Sequence, residues 1–461
     1  MKRAMLFVVL SAASVAGCTS LPTFVPDMER RSARAAQLPP IISARGPLNA
    51  AQSKAILDRL KQRSPHTSIF DRHLALEEAV VGSPLTMGND VRLLQDGPAT
   101  YGAMFAALRS AKDHIHMETF ILDDDEVGQQ FAHLLIEKQR EGVQVRLIHD
   151  SVGTLGTPAA FFKRLTDSGI KVLEFNPVNP LAAFRGWQVN QRDHRKLLIV
   201  DGQTAFLGGI NISGVYSGGS FGYSANGAID ANQPWRDTDI ELKGPVVAEL
   251  QKLFLGVWER QNGEPMTGGN YFPRLEATGK QVVRAIGSSP EEPFSLIYAT
   301  LLSAIASSET SVNITNAYFV PDPQLLAALS AAAQRGVAVK LILPAQTDSW
   351  LVFHAGRSYF EPLLRSGVKI YQRRGVILHS KTALIDGVWA TVGSTNLNWR
   401  SFLHNHELNA VVLGAEFGTQ VQKAFDKDLS ASDEVTLHDW ERRAIDSRAK
   451  ELFARVWEYW L

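Results

Sequence analysis

From Val91 onward the apolar positions switch repeatedly between two periods. Val143–Ile148 and Ile170–Phe175 carry apolar residues densely enough to predict buried strands, and His114–Leu122 reads as a third. Ala103–Ser110, Val127–Gln139 and Ala159–Ser168 instead space them at three and four, which predicts helices. Strands separated by helices of this length predict an α/β fold, a mainly parallel mixed sheet flanked by helices. The order then recurs. Arg140-Glu141-Gly142-Val143-Gln144-Val145-Arg146-Leu147-Ile148 matches Gln334-Arg335-Gly336-Val337-Ala338-Val339-Lys340-Leu341-Ile342, and Ser168-Gly169-Ile170-Lys171-Val172 matches Ser366-Gly367-Val368-Lys369-Ile370. A repeat of this length predicts two pseudo-symmetric domains packed as partners. Residues 91–262 and 281–461 are the two domains, 263–280 with Pro265 and paired glycines the linker, and 48–90 an accessory helical region.

The N-terminus follows another pattern. Lys2 and Arg3 precede a mostly apolar run, Met5–Val15, too short to span a bilayer and suited to the core of a signal peptide over residues 1–17. It ends in Val15-Ala16-Gly17-Cys18, which resembles a bacterial lipobox and implies cleavage before Cys18 and lipidation of its thiol. Cys18 is the only cysteine, so the chain has no disulfide to explain it. Thr19, by resemblance to the sorting pattern of Gram-negative lipoproteins, points to the outer membrane, facing the periplasm. Residues 18–47, with Pro22, Pro26, Pro39 and Pro40, read as the tether behind that anchor.

Composition narrows the possibilities. A 45% apolar content excludes a mainly disordered chain, and 461 residues favour two domains over one. Lys+Arg and Asp+Glu both count 47, so there is no basic excess, and no nucleic-acid partner is expected.

Each repeat ends in one dense motif. The first is His194-Arg195-Lys196-Leu197-Leu198-Ile199-Val200-Asp201, followed by Gly208-Gly209-Ile210-Asn211. The second is His379-Ser380-Lys381-Thr382-Ala383-Leu384-Ile385-Asp386, followed by Gly393-Ser394-Thr395-Asn396. On a strand, His and Lys two apart share a face. Two such pairs facing one another surround a phosphate, one imidazole attacking phosphorus while the other protonates the leaving alkoxide. Lys196, Lys381, Asn211 and Asn396 would hold the non-bridging oxygens. A carboxylate on the far nitrogen fixes the tautomer, with Asp237 the candidate for His194 and Glu407 for His379. Asp201 and Asp386 close the motifs and are grouped with the catalytic residues, although a turn with Gly202 or Gly387 suits them equally. Glu118 and Asn316, at what read as equivalent strand ends, are candidates to line the cleft. No cofactor is required, and the sequence carries no zinc or calcium ligand cluster.

Two His-x-Lys-x4-Asp motifs, each with its Gly-Gly/Ser-x-Asn sequel, resemble the phospholipase D superfamily. Asn190-Gln191-Arg192-Asp193, Trp235-Arg236-Asp237-Thr238, Ala317-Tyr318-Phe319-Val320-Pro321 and Asn405-His406-Glu407 are most similar to bacterial cardiolipin synthases, over roughly Val91 to Val412. The resemblance implies two phospholipase D-like domains with the active site at their interface. It also implies phospholipid substrates at a membrane surface, and a phosphatidyl group passed between them through His194, with His379 as general acid. Phospholipase D hydrolysis and, behind it, a nuclease are the alternatives. Unlike synthases that begin with two membrane-spanning helices, this chain has the lipid-anchor signature, and Asn398 stands where the family often has Asp. Two apolar segments remain. Pro177–Trp187 suits a lip admitting acyl chains, and the stripe from Ile445 through Leu452, Phe453, Val456, Trp457 and Trp460 is expected to pack on its own domain.

Overall fold

The computed structural model describes residues 40–74, 82–179, 181, 187–218 and 234–461. Residues 1–39, with the signal-peptide reading and Cys18, lie outside these, as do residues 180 and 182–186 of the apolar segment before the first motif.

The first half contains strands β1 (Leu85–Gln95), β2 (His114–Thr119), β3 (Gln144–Asp150), β4 (Lys171–Phe175), β5 (Leu197–Val200), β6 (Thr204–Gly208) and β7 (Thr238–Lys243). Helices α1 (Asp96–Ser110), α2 (Glu126–Arg140) and α3 (Ala159–Asp167) precede β2, β3 and β4, and α4 (Val246–Arg260) follows β7. The second half repeats the scheme with β8 (Gln281–Ser288), β9 (Ser311–Asn316), β10 (Ala338–Pro344), β11 (Lys369–Arg373), β12 (Lys381–Ile385), β13 (Trp389–Gly393) and β14 (Asn405–Leu413). Local sequence sets the boundaries. Asp125 caps α2 by accepting the Gly128 N–H at 2.9 Å, and Gly142, at φ +95°, takes the left-handed turn behind it.

The register shows the duplication directly. The first half-sheet runs β1–β7–β6–β5–β2–β3–β4, the second β8–β14–β13–β12–β9–β10–β11. In each, the last three strands are parallel and the others antiparallel. β1 and β8 join the halves, with a register shift between Gln281 and Val282. One core draws on both, setting Ile199, Leu207, Ile240 and Phe254 among Val283, Leu384, Val392 and Leu408. Burying apolar surface from both sides locks the halves into one body.

Two sequence expectations need correction. The sheet reaches into the stretch read as accessory, where β1 starts at Leu85 and its first residues also pair with Ile41 and Ile42, because the polar run Gly88-Asn89-Asp90 interrupts the apolar pattern of a strand that pairs on both sides. The C-terminal stripe does not pack inward. In helix α5 (Ile445–Arg455) the buried residues are Glu451 and Ala454, while Leu452, Phe453 and, just beyond the helix, Val456 are exposed. Glu451 is drawn in by Arg443, at 2.9 Å, and by Arg357. That ion pairing turns the apolar face outward.

Candidate active site

Two short parallel ladders build the site. Arg192-Asp193, directly before the first motif, pairs with Asn405-His406, directly before Glu407. Trp235-Arg236, directly before Asp237, pairs with Ile377-Leu378, directly before His379. Each histidine therefore enters beside the carboxylate of the opposite half. The His194 N–H donates to the His406 carbonyl at 3.0 Å and the His379 N–H to the Arg236 carbonyl at 2.7 Å. The side chains follow, with His194 Nδ1 at 3.1 Å from Glu407 Oε2 and His379 Nδ1 at 2.7 Å from Asp237 Oδ2. The expected pairing is thus reversed, since Asp237 serves His379 and Glu407 serves His194. Repeat equivalence shows that the two carboxylates correspond, and is blind to which half each one faces. With Nδ1 engaged, Nε2 of each ring is the nitrogen left for chemistry.

The cluster is buried and cation-rich. Lys196 Nζ donates to the His194 carbonyl at 2.6 Å, and Lys381 Nζ donates likewise to the His379 carbonyl. Burial, opposed by Glu407, brings Lys196 down to about 7, and burial opposed by Asp237 brings Lys381 down to about 8. Burial and the nearby ammonium groups hold both imidazoles below their ordinary value. The two carboxyls diverge. Burial pushes Asp237 up to about 6 against the pull of Lys381. Burial also acts on Glu407, but His194, Lys196 and the Ser394 hydroxyl outweigh it and keep the carboxyl low.

The residues after each motif explain that divergence. Ser394 Oγ donates to Glu407 Oε2 at 2.5 Å, and Asn405 Nδ2 donates to Oε1 at 3.2 Å. Gly209 holds the matching place in the first half, where a Cβ would fall 2.2 Å from Asp237 Oδ1. Asn211 is engaged beneath the site: Nδ2 donates to the Tyr216 hydroxyl at 3.1 Å, and Oδ1 accepts the Ile121 N–H at 3.1 Å. Asn396 is buried, with Oδ1 lacking a protein partner and its N–H on Ser401 Oγ at 3.2 Å.

The sequence reading missed Tyr216, whose hydroxyl lies 3.3 Å from His379 Nδ1, and Phe120, whose ring sits 5.2 Å from that of His194 and 5.2 Å from Lys196 Nζ. Both lie outside the repeated motifs, and Ser401 holds the place corresponding to Tyr216. Trp235 and Tyr318 pack on His379 at 5.0 and 5.9 Å.

Asp201 and Asp386 are not in the cluster. They stand at the far ends of β5 and β12, both at positive φ (53° and 51°). The Asp201 carboxylate accepts the N–H groups of Lys112, Asp113 and His114 at 2.9, 2.8 and 3.0 Å. Asp386 accepts those of Glu309, Thr310 and Ser311 at 3.0, 2.8 and 2.9 Å. Each ties off the start of the neighbouring strand, because the apolar strand that ends the motif carries its last residue away from its first. Glu118 and Asn316 are not equivalent either. Asn316 pairs with Lys381, whereas Glu118 pairs with Leu197 and lies 3.9 Å from Arg195. Among the described residues no group of three His, Cys, Asp or Glu side chains is placed to hold a metal ion.

The cardiolipin synthase, PLD-like domain model matches residues 104–217 and 301–429. Cardiolipin synthase of Alkalihalophilus pseudofirmus is 33% identical over 403 residues, 87% of this chain and 77% of that one. The Geobacillus kaustophilus cardiolipin synthase is 34% identical over 377 residues, 81% of this chain and 72% of the relative. Among solved structures, the phosphatidylserine synthase of Haemophilus influenzae has the same fold at 13% identity, with a TM-score of 0.56 over 79% of this chain and 95% of the other.

Proposed function

The chain belongs to the cardiolipin synthase family with phospholipase D-like domains, and on that premise we propose how its residues carry out phosphatidyl transfer. It is a bacterial, membrane-associated phosphatidyltransferase of the cardiolipin synthase type, acting on phospholipids. In our reading, His194 Nε2 attacks the phosphorus of phosphatidylglycerol. The bond from phosphorus to the glycerol oxygen breaks, and His379 delivers a proton to that oxygen. The hydroxyl of a second phosphatidylglycerol then gives its proton to His379 and attacks phosphorus, and the nitrogen–phosphorus bond breaks. Two phosphatidylglycerols thereby yield cardiolipin and glycerol. Lys196, Lys381, Asn211 and Asn396 steady the non-bridging oxygens, and Glu407 and Asp237 orient the two imidazoles across the halves.

The observation that carries this assignment is the crossed pairing, which gathers both imidazoles and both ammonium groups into one buried cluster. We take two domains, the first running from Leu85 to residue 262 and the second over 281–461, joined through 263–280. Cys18 is proposed to carry the lipid that anchors the enzyme in the outer membrane, facing the periplasm, on the strength of the lipobox-like Val15-Ala16-Gly17-Cys18 and of Thr19.

Incubation with phosphatidylglycerol vesicles, resolved by lipid mass spectrometry, tests the reading. Cardiolipin and glycerol are expected from the wild type and from neither His194→Ala nor His379→Ala. Phosphatidic acid without cardiolipin would make water the acceptor and overturn the transferase assignment.

A further inference from the structure

Exposed apolar side chains gather at one end of this molecule. Apart from Phe272 and, at the start of α5, Ile445, the described residues with a large apolar side chain strongly exposed lie on segments beside the catalytic cluster or farther along the C-terminal segment that packs near them. Leu155 lies on the loop behind β3, whose Asp150 accepts the Asp193 N–H at 2.8 Å, one residue before His194. Val215 adjoins Tyr216, the phenol facing His379. Val178 and Val189 flank the segment that leads into the first motif. On the second half Trp350 follows Asp348, which accepts the hydroxyl of Tyr318, and Tyr318 packs on His379.

The C-terminal segment closes the ring. Phe453 lies 6.3 Å from Trp350, and Trp460 stacks on His404, whose carbonyl accepts the Arg192 N–H at 3.1 Å. Phe453, on α5, and Trp457, just beyond it, are 57% and 40% exposed, and the inward positions of the helix are Glu451 and Ala454. A soluble surface rarely spends this much aromatic area without a contact to make.

We propose that this ring of side chains is a membrane-docking face, which inserts into the interfacial layer of a phospholipid bilayer and sets the His194–His379 cluster against the headgroups. The proposal rests on the reading of the site as one that takes membrane phospholipids. A substrate held by its acyl chains stays in the bilayer, so the protein must bring the site to it. The residues come from both halves and surround the cluster, whereas a second copy of the chain seated on them would block the entrance. Insertion is the dominant force. The chain has no net charge, and on α5 Lys450 pairs with Asp446 and Arg455 with Glu458.

The test uses the full chain with Cys18→Ser, so that no acyl anchor contributes, with and without Phe453→Glu plus Trp457→Glu. The probes are phosphatidylcholine–phosphatidylglycerol vesicles and monomeric dihexanoyl phosphatidylglycerol. The double variant should lose about tenfold or more in vesicle partitioning and in vesicle turnover, while turnover of the monomeric lipid stays within about twofold. Raising salt to about 0.5 M should change wild-type partitioning little, because exposed charges are then screened. Vesicle binding equal to wild type, or loss of turnover on both substrates, would overturn docking by this face. So would a dimer that the double variant disrupts while vesicle binding is kept. Wild-type partitioning without turnover of either lipid would leave docking standing and sink the substrate assignment instead.

Discussion

The two histidine pockets are built from equivalent strands and yet hold their carboxyls differently. Around His194, Glu407 accepts from Ser394 and Asn405 as well as from the imidazole, and the acid is held in its charged form. Around His379, Gly209 replaces the serine, Asp237 is pushed up to about 6 by burial, and a phenol from Tyr216 shares the imidazole nitrogen. A firmly charged partner makes Nε2 of the first ring the better nucleophile. A partner that titrates near neutrality suits a ring that gives up and retakes a proton. The duplicated fold supplies two copies of one device, and the exchange of Ser394 for Gly209, with Asn405 on one side and Tyr216 on the other, tunes them apart.

The largest effect that would break this comparison comes from the histidines themselves. His194→Ala and His379→Ala should each lower cardiolipin formation by about 10⁴-fold or more, measured on vesicles. They should diverge on a p-nitrophenyl phosphodiester, whose leaving group needs no proton. There His379→Ala retains nitrophenol release in a first turnover and His194→Ala does not. Equal losses would remove the division of labour.

Next come the carboxylates. Glu407→Gln and Asp237→Asn are each expected to reduce kcat by about 10²–10³-fold with the fold intact by circular dichroism, since each misorients the ring of the opposite half. The lysines give a smaller, pH-dependent signal. Their ammonium forms grip phosphate, and burial lowers them to about 7 and 8. Thus kcat/KM should fall as pH rises past that range. The sign for stability is opposite. The unfolded lysine keeps its proton to about 10.4, so between the folded and unfolded values the unfolded state binds more protons and stability rises with pH. Lys196→Met should therefore raise the melting temperature at pH 7, read by calorimetry, while lowering cardiolipin formation in the lipid assay. Smallest in activity is Asp201→Asn, which should leave kcat within about twofold yet cost about 1–3 kcal/mol in denaturant unfolding, through weakened bonds to the β2 amides.

The strand and helix periods exposed the α/β class and its duplication, because buried strands such as Val143–Ile148 cannot hide their apolar run. The four central residues were legible for the same reason, as polar pairs recurring at the mouth of such strands. Asp201 misled because it belongs to the motif in sequence, while an extended strand carries it to the other end of the sheet. The reversal of Asp237 and Glu407 left no local trace, since it depends on which segments pair between halves. Tyr216 and Phe120 lie outside the two motifs, and Ser401 at the place of Tyr216 breaks the repeat there. The outward face of α5 was misread because its stripe resembles a buried one until Glu451 finds Arg443 and Arg357.

Crossed pairing can be observed directly by selective ¹⁵N labelling of histidine, with His194 and His379 assigned from their alanine variants. Glu407→Gln should shift the Nδ1 signal of His194 and leave that of His379 in place, and Asp237→Asn should do the reverse. If Glu407→Gln moved His379 and spared His194, each carboxylate would serve its own half, and the site would not be the shared, interlocked one that the ladders describe.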